Sequence, residues 1–153
     1  MISKAFSPLT TVEYRLVDES FTPLYYVENI DRLELFCRRN CNYFVLDQYV
    51  YEVVSTALEN ELFVIYLQLV EDDQPFGETP TSRALGIEVR LLTDDQSYPE
   101  MTYINCQTHL EAFTYLDNSF LYFQNKEYAR VSAELDQNRK QYVLYVKLTG
   151  ETL

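Results

Sequence analysis

Three cysteines and one histidine are the residues of this chain best suited to hold a metal ion. Cys37 and Cys41 have the spacing that places two side chains on one face of a helix, and Cys106 lies shortly before His109. If the helices that carry them run antiparallel, the four side chains meet as a Cys3His zinc site. The spacing is not that of a standard zinc finger, and cysteines more often serve as small buried hydrophobic residues. We therefore expect no metal and no other cofactor.

Candidates for covalent or acid–base catalysis are few. A Ser–His or Cys–His pair would have to use His109, for which an exposed position at a helix start is the simpler interpretation. No nucleophile-elbow or P-loop motif occurs, and three glycines leave no loop that cradles a phosphate. The acidic turns at Asp18-Glu19 and Asp94-Asp95 could bind a divalent cation or a basic protein, but solvated turns are the ordinary interpretation. We assign no catalytic residue.

Four tyrosines lie on the less apolar side of predicted strands: Tyr51, Tyr66, Tyr128 and Tyr145. The alternate positions of the last strand in each half are aliphatic and are predicted to face the core, namely Ile65, Leu67 and Leu69, then Leu144, Val146 and Leu148. Tyrosine supplies a large contact area and a hydroxyl group at low entropy cost. We predict that the four tyrosines form an interface between chains, with packing inside one chain as the alternative.

The segments that carry these residues occur twice. Residues 32–61 align without a gap on residues 109–138, so that Leu33 and Phe36 stand opposite Leu110 and Phe113. Two shorter segments also match: VEYRLV at 12–17 with IEVRLL at 87–92, and FVIYLQL at 63–69 with YVLYVKL at 142–148. This self-similarity predicts a tandem duplication of one unit, with the two copies related by a pseudo-two-fold axis.

The pattern of each half predicts a ββαβββ unit. Two helices are indicated, from Ile30 to about Asn40 with Asn29 as its cap, and from Thr108 to Asp117 with Thr108 as its cap. Their apolar faces are expected to bury Leu33, Phe36, Leu110 and Phe113 against the strands. The strands are predicted at 12–18, 24–28, 43–46, 49–57, 62–70, 86–93, 101–106, 120–123, 127–135 and 141–149. The fold class is α+β, with antiparallel sheets and one helix per repeat.

The two repeats are expected to form one globular unit. We place the first at 1–76 and the second at 77–153, joined by a charged, Pro- and Gly-containing linker at about 71–83. Units of this length bury little surface alone, so they are expected to share a core.

Charge and cysteine content restrict the partners and the compartment. The net charge of −12 disfavours direct binding to nucleic-acid backbones or anionic membranes, and no apolar run approaches the ~18 residues of a membrane span. The negative net charge suits a basic protein partner. Three unevenly placed cysteines do not resemble a disulfide framework, which favours the reducing cytoplasm.

These observations favour a non-enzymatic, cytoplasmic protein-interaction or regulatory module that self-associates as a homodimer or larger homo-oligomer. Two alternatives remain from the sequence. One is a small-molecule-binding protein or enzyme with a site in the groove between the repeats. The other is an acidic inhibitor that mimics a nucleic acid.

Overall fold

The computed structural model of the chain describes residues 9–71 and 84–152. Each half contains five strands, with a helix between the second and the third. The first half comprises β1 Leu9–Leu16, β2 Thr22–Asp31, α1 Arg32–Asn40, β3 Tyr43–Leu46, β4 Tyr49–Glu59 and β5 Leu62–Leu69. The second half comprises β6 Gly86–Leu91, β7 Glu100–Asn105, α2 His109–Leu116, β8 Phe120–Phe123, β9 Lys126–Asp136 and β10 Gln141–Thr152. The fold is α+β, as predicted.

Within these described ranges, the strands form one ten-stranded mixed sheet. Its order is β2-β1-β5-β4-β3-β9-β10-β6-β7, and β8 pairs with β9. Three strand pairs are parallel, β1 with β5, β6 with β10 and β3 with β9. The expectation of antiparallel sheets is therefore wrong in this respect. Alternation along a strand reports which face is buried, but it does not identify the neighbouring strand.

Both helices pack on the same face of the sheet, which we call the helix face. One continuous core lies beneath them and draws on both halves of the chain. Its fully buried members include Val12, Tyr14, Leu35, Phe44, Ile65, Leu67, Ile87, Val89, Ala112, Leu116, Leu144 and Val146. Leu69 packs against this core, whereas Leu148 is 46% exposed, so the predicted core positions of the last strands hold for all except Leu148.

The helix starts agree with the sequence for α2 but not for α1. Thr108 caps α2 by accepting a hydrogen bond from the Glu111 amide at 3.2 Å. Asp31, not Asn29, caps α1, since its carboxylate accepts from the Glu34 amide at 2.8 Å. Asn29 lies within β2 in the left-handed region, with φ 59°. Asparagine suits both a cap and a left-handed residue, so its type alone could not separate these roles.

The side chains that the helices bury differ in part from those predicted. Leu35 and Leu116 are fully buried, while Phe36 is 40% exposed and Leu110 is 55% exposed. The expectation that Phe36 and Leu110 lie buried at the helix–sheet contact is wrong, and Leu33 and Phe113 are half-buried. The two helices pack on each other as well as on the sheet. The matched residues Phe36 and Phe113 therefore face the junction of the two halves instead of the sheet. Residues 72–83 of the predicted linker lie outside the described residues.

Candidate functional site

Of the predicted metal ligands, Cys37 lies in the second half of α1 and Cys41 follows its last residue, while Cys106 and His109 lie at the start of α2. The Cys37 thiol donates to the His109 carbonyl oxygen at 3.4 Å, and the Cys41 thiol donates to the Cys37 carbonyl oxygen at 3.3 Å. Cys106 donates to the Ile104 carbonyl oxygen. The proximity of the two helix segments is thus as expected, but all three thiols are buried and point to backbone carbonyl groups.

Burial disfavours the thiolate form of these three cysteines. Burial raises the pKa of the Cys37 thiol to about 12, and it also raises the pKa values of Cys41 and Cys106. Metal ions bind the thiolate form, which these surroundings disfavour. His109 is partly buried, with Nε2 3.8 Å from Glu34 Oε1. Among residues 9–71 and 84–152, no three His, Cys, Asp or Glu side chains are grouped to hold a metal ion.

The four predicted interface tyrosines lie on two faces of the sheet. The pairing of β4 with β5 shifts between Val53 and Ser55, so one extra residue inverts the alternation there. Tyr51 and Tyr128 consequently belong to the core under the helices, whereas Tyr66 and Tyr145 lie on the opposite face. The placement of all four on one face is wrong. Tyr51, Tyr128 and Tyr145 are buried within the chain, and Tyr66 is half-buried.

A network of buried charges covers the opposite face of the second half. Arg139 is 7% exposed and donates to Asp136 at 2.9 Å and to Glu88 at 3.1 Å. Arg90 donates to Glu88 at 3.0 Å. Burial alone would raise the pKa of Glu88, but the hydrogen bonds from Arg139 and Arg90 outweigh it and hold the pKa below its usual value. This arrangement neutralises charge inside the fold.

Sequence reasoning did not find this network. The signal was present in the matched segments, where Glu13 and Arg15 stand opposite Glu88 and Arg90. Arg15 also bonds Glu59, at 2.9 and 3.0 Å, so both halves pair a glutamate and an arginine on this face.

The acidic turns are stabilised locally. The Asp95 carboxylate accepts hydrogen bonds from the Thr93 hydroxyl group and the Ser97 amide, and the hydrogen bond from Thr93 is the main cause that lowers the pKa of Asp95 to about 2. Asp18 and Glu19 lie in a short 3-10 turn after β1. The hydrogen bonds that form this turn therefore account for the lowered pKa of the Asp95 carboxyl group.

The two helices meet at matched positions. The rings of Phe36 and Phe113 have centroids 6.2 Å apart, and Asn40 donates to Asp117 at 3.2 Å. Beside this contact is an open groove of about 250 Å³, lined by Phe36, Arg39, Asn40, Thr56 and Phe113, which we call the junction groove. It lies between the helices and β4. Two aromatic rings at its walls make apolar contact the main interaction that it offers.

A second, more polar cleft adjoins the junction groove at Asn40. It has a volume of about 220 Å³ and is lined by Asn40, Leu116, Asp117, Asn118, Ser119 and Arg130. Arg130 donates to the Asn40 carbonyl oxygen at 2.9 Å and to the Asn42 side chain at 3.2 Å, so its guanidinium group holds the end of α1 in place. The charged groups of this cleft, Asp117 and Arg130, thus have structural partners.

Two large apolar side chains lie next to lining residues of the junction groove on their own elements. Leu110 lies one helical turn before Phe113 on α2, and Leu58 follows Thr56 on the same face of β4. Leu58 is 58% exposed. The site therefore joins an aromatic groove to exposed aliphatic side chains.

Comparison with known proteins gives no relative for this chain: no family model, no curated protein sequence and no solved structure matches it. In the described parts of the chain, none of the helices has the length and apolar character needed to cross a membrane.

Proposed function

We propose that this protein is a non-enzymatic interaction module that binds a partner protein at the junction groove. One observation carries the proposal: Phe36 lines a groove that holds two aromatic rings and is 40% exposed, and Leu58 and Leu110, which follow or precede lining residues on β4 and α2, are 58% and 55% exposed. Burial of apolar surface contributes roughly 25 cal/mol per Å², and exposed apolar patches mark sites of contact. A partner that covers these side chains gains that free energy.

The charge of the chain favours a basic partner. A net charge of −12 attracts cationic protein surfaces and repels nucleic-acid phosphates. The nucleic-acid-mimic alternative requires a row of available carboxylates. On the opposite face, however, Glu13, Glu88 and Asp136 are paired with arginines. We place the protein in the reducing cytoplasm, in keeping with its three free cysteines.

We also propose that the chain is a tandem duplication of a ββαβββ unit. Strand registers support this. Tyr43 pairs with Glu52 in the first half, and Phe120 pairs with Ala129 in the second, at positions that the sequence alignment equates. The bulge between Val53 and Ser55 recurs as the register shift between Arg130 and Ser132, which pair with Val146 and Tyr145. A shared bulge is a mark of common origin.

Self-association through strand faces remains part of the proposal. Tyr66 is the half-buried member of the predicted tyrosine set, and its ring makes an edge contact with Phe21, which is 57% exposed. These two rings offer an apolar patch on the opposite face, where a second chain could pack. Sedimentation equilibrium on the wild type and on Phe21→Asp tests this part. A wild type that is monomeric at micromolar concentration would exclude it.

The interaction itself is tested by comparative capture. Wild-type protein, a Phe36→Glu, Leu110→Glu double variant and a Leu148→Glu control are immobilised and exposed to an extract of the native host. Leu148 is similarly exposed, at 46%, but lies on β10. Quantitative mass spectrometry is expected to find proteins that the wild type and the control retain and the double variant loses. Equal retention by all three folded proteins, checked by circular dichroism, would disprove the proposal.

A further inference from the structure

The edges of β9 and β4 are occupied differently, although the two strands stand at equivalent places in the two halves. The end of β9 pairs in parallel with β3, where Phe44 lies beside Leu135 and Val45 beside Asp136. The corresponding end of β4, Ala57–Glu59, pairs with β5, and no second strand of the described residues is paired with it. One edge is paired with this protein's own strand, and its counterpart has no paired strand among the described residues.

Burial differs accordingly. Leu135 on the filled edge is 4% exposed, whereas Leu58 at the equivalent position of β4 is 58% exposed. Phe120, which begins β8, the strand equivalent to β3, is 55% exposed. A leucine left in water beside a strand edge forgoes the burial that its counterpart obtains.

Backbone hydrogen bonds show what a strand at this edge would gain. On the filled edge, the Asn42 amide donates to the Ala133 carbonyl oxygen at 2.8 Å, and the Gln137 amide donates to the Val45 carbonyl oxygen at 2.9 Å. The positions equivalent to Ala133 and Gln137 are Thr56 and Asn60. A segment added beside β4 would reach the same backbone groups and continue the sheet.

We infer that the β4 edge from Thr56 to Asn60 binds an extended segment of a partner protein, added as a strand parallel to β4. The inference rests on the proposed function, because Thr56 also lines the junction groove and the edge continues it. The segment carries an apolar residue that packs on Leu58.

Charge complementarity fixes the ends of that segment. Arg39 donates to the Thr56 hydroxyl group at 3.0 Å and lies at the beginning of the edge, while its end carries the carboxylate groups of Glu59, which is paired with Arg15, and of Glu61. A parallel segment therefore meets the cationic Arg39 first and the acidic end of the edge last, so its basic residues follow the apolar residue. A strand edge without a paired neighbour is a template for strand pairing, and the net charge of −12 favours a basic partner.

The protein's own β3 supplies the probe. We would titrate full-length protein into a fluorescein-labelled peptide, Asn-Tyr-Phe-Val-Leu-Lys-Lys, and follow anisotropy. The control peptide has the reverse order, Lys-Lys-Leu-Val-Phe-Tyr-Asn, with the same composition. Saturable binding is expected for the first peptide and weaker binding for the second. Amide exchange by NMR is expected to slow at Leu58 and Asn60 in the complex.

Two variants with matched chemistry locate the site. Leu58→Lys is expected to weaken binding by about tenfold or more, because it removes the apolar contact and adds a repelling charge. Leu148→Lys places the same change at a similarly exposed position on β10 and is expected to leave binding unchanged. Both side chains are already solvent-accessible, so both variants should fold.

Four results would overturn the inference. The first is that the peptide does not bind at about 1 mM, and the second is that amide exchange slows at β2 or β7 instead of at Leu58. The third is that the Leu58 amide already exchanges slowly in the free protein. The fourth is that the protein forms a concentration-dependent dimer that Leu58→Lys dissociates. The third would mean that another part of the chain fills the edge, and the fourth that a second copy does. If capture still depends on Phe36 and Leu110 while the peptide fails, the proposed function stands and this inference alone is wrong.

Discussion

Arg139 is the residue on which the buried charges of the opposite face depend. Its guanidinium group lies between Asp136 and Glu88, whose side chains are 3% and 4% exposed. Removal of one partner from a buried ion pair leaves an uncompensated charge, which costs more than the pair itself contributes.

We predict that Arg139→Met destabilises the fold by about 3–5 kcal/mol near neutral pH. The loss should narrow below about pH 4, where protonated carboxyl groups no longer carry the unpaired charge. Urea denaturation at several pH values measures it, with Lys140→Met as the control because Lys140 is exposed. Equal urea midpoints for the two variants would contradict the role of the network.

The buried thiol and phenol groups predict how stability responds to alkaline pH. Burial raises the pKa of Cys37 from 9.0 to about 12 and that of Tyr14 from 10.0 to about 12, the latter despite the nearby Arg38. A raised pKa in the folded state means that the folded protein holds its proton after the unfolded chain has released it. Stability from these groups is therefore complete below pH 9 and is lost as the pH rises toward 12.

The free energy of unfolding should accordingly fall from about pH 9 upward, by up to about 1.4 kcal/mol per pH unit for each such group. Denaturant titrations along a pH series measure the slope, and Cys37→Ala should reduce it at the low end of this window. Native cysteines should also react slowly with a thiol reagent at pH 8, and quickly after unfolding. Rapid reaction in the native state would argue against buried thiols.

At the scale of elements, the helices bury residues that neighbour the predicted ones. Leu35 and Leu116 are fully buried, whereas Phe36 and Leu110 face the junction groove or solvent. The predicted and the observed buried residues both fit a helical spacing, so periodicity alone could not show which of them face the core. The choice depends on how far each helix is rotated about its axis, which the helix–helix contact sets.

We predict that Leu35→Ala and Leu116→Ala each cost about 2–5 kcal/mol, because each leaves a cavity in the core. Leu110→Ala should cost less than about 1 kcal/mol, since a leucine that is 55% exposed loses little burial. Thermal and urea unfolding of the three variants compare them directly. A larger loss for Leu110→Ala than for Leu116→Ala would show that the helix is oriented otherwise.

At the scale of the whole molecule, the two halves share their stabilising contacts. The Arg38 guanidinium group of the first half donates to Gln137 of the second at 3.1 Å. Asp47 and Asn138 exchange two hydrogen bonds, at 3.0 and 2.7 Å. With the β3–β9 pair and the helix contact, these bonds join the halves into one core.

We predict that residues 1–76 and 77–153, produced separately, do not unfold cooperatively, and that mixing them restores part of the native signal. Each half alone would expose the core face that the other covers, and domains of this size are marginal even when intact. Circular dichroism melts and two-dimensional NMR spectra test this expectation. A half with a cooperative melt and native-like chemical shifts would show an independent domain.

The sequence alone determined the local features of this protein. The spacing of apolar residues and the repeated segments predicted the number and order of strands and helices, because local pattern and propensity act within a few residues. The cysteines could be located approximately, since Cys41 follows the end of one predicted helix and Cys106 precedes the start of the other.

Only the tertiary structure decided which strands are neighbours and which matched residues are buried. The bulge after Val53 separates Tyr51 from Tyr66, and the register shift between Arg130 and Ser132 separates Tyr128 from Tyr145. A one-residue shift of this kind has no strong signature in sequence. The exposure of Leu58 is likewise absent from the sequence pattern, because Leu58 and Leu135 are both leucines at equivalent positions. Their exposure differs because β3 pairs with β9 on one side of the junction, and pairing between distant strands depends on the packing of the whole molecule.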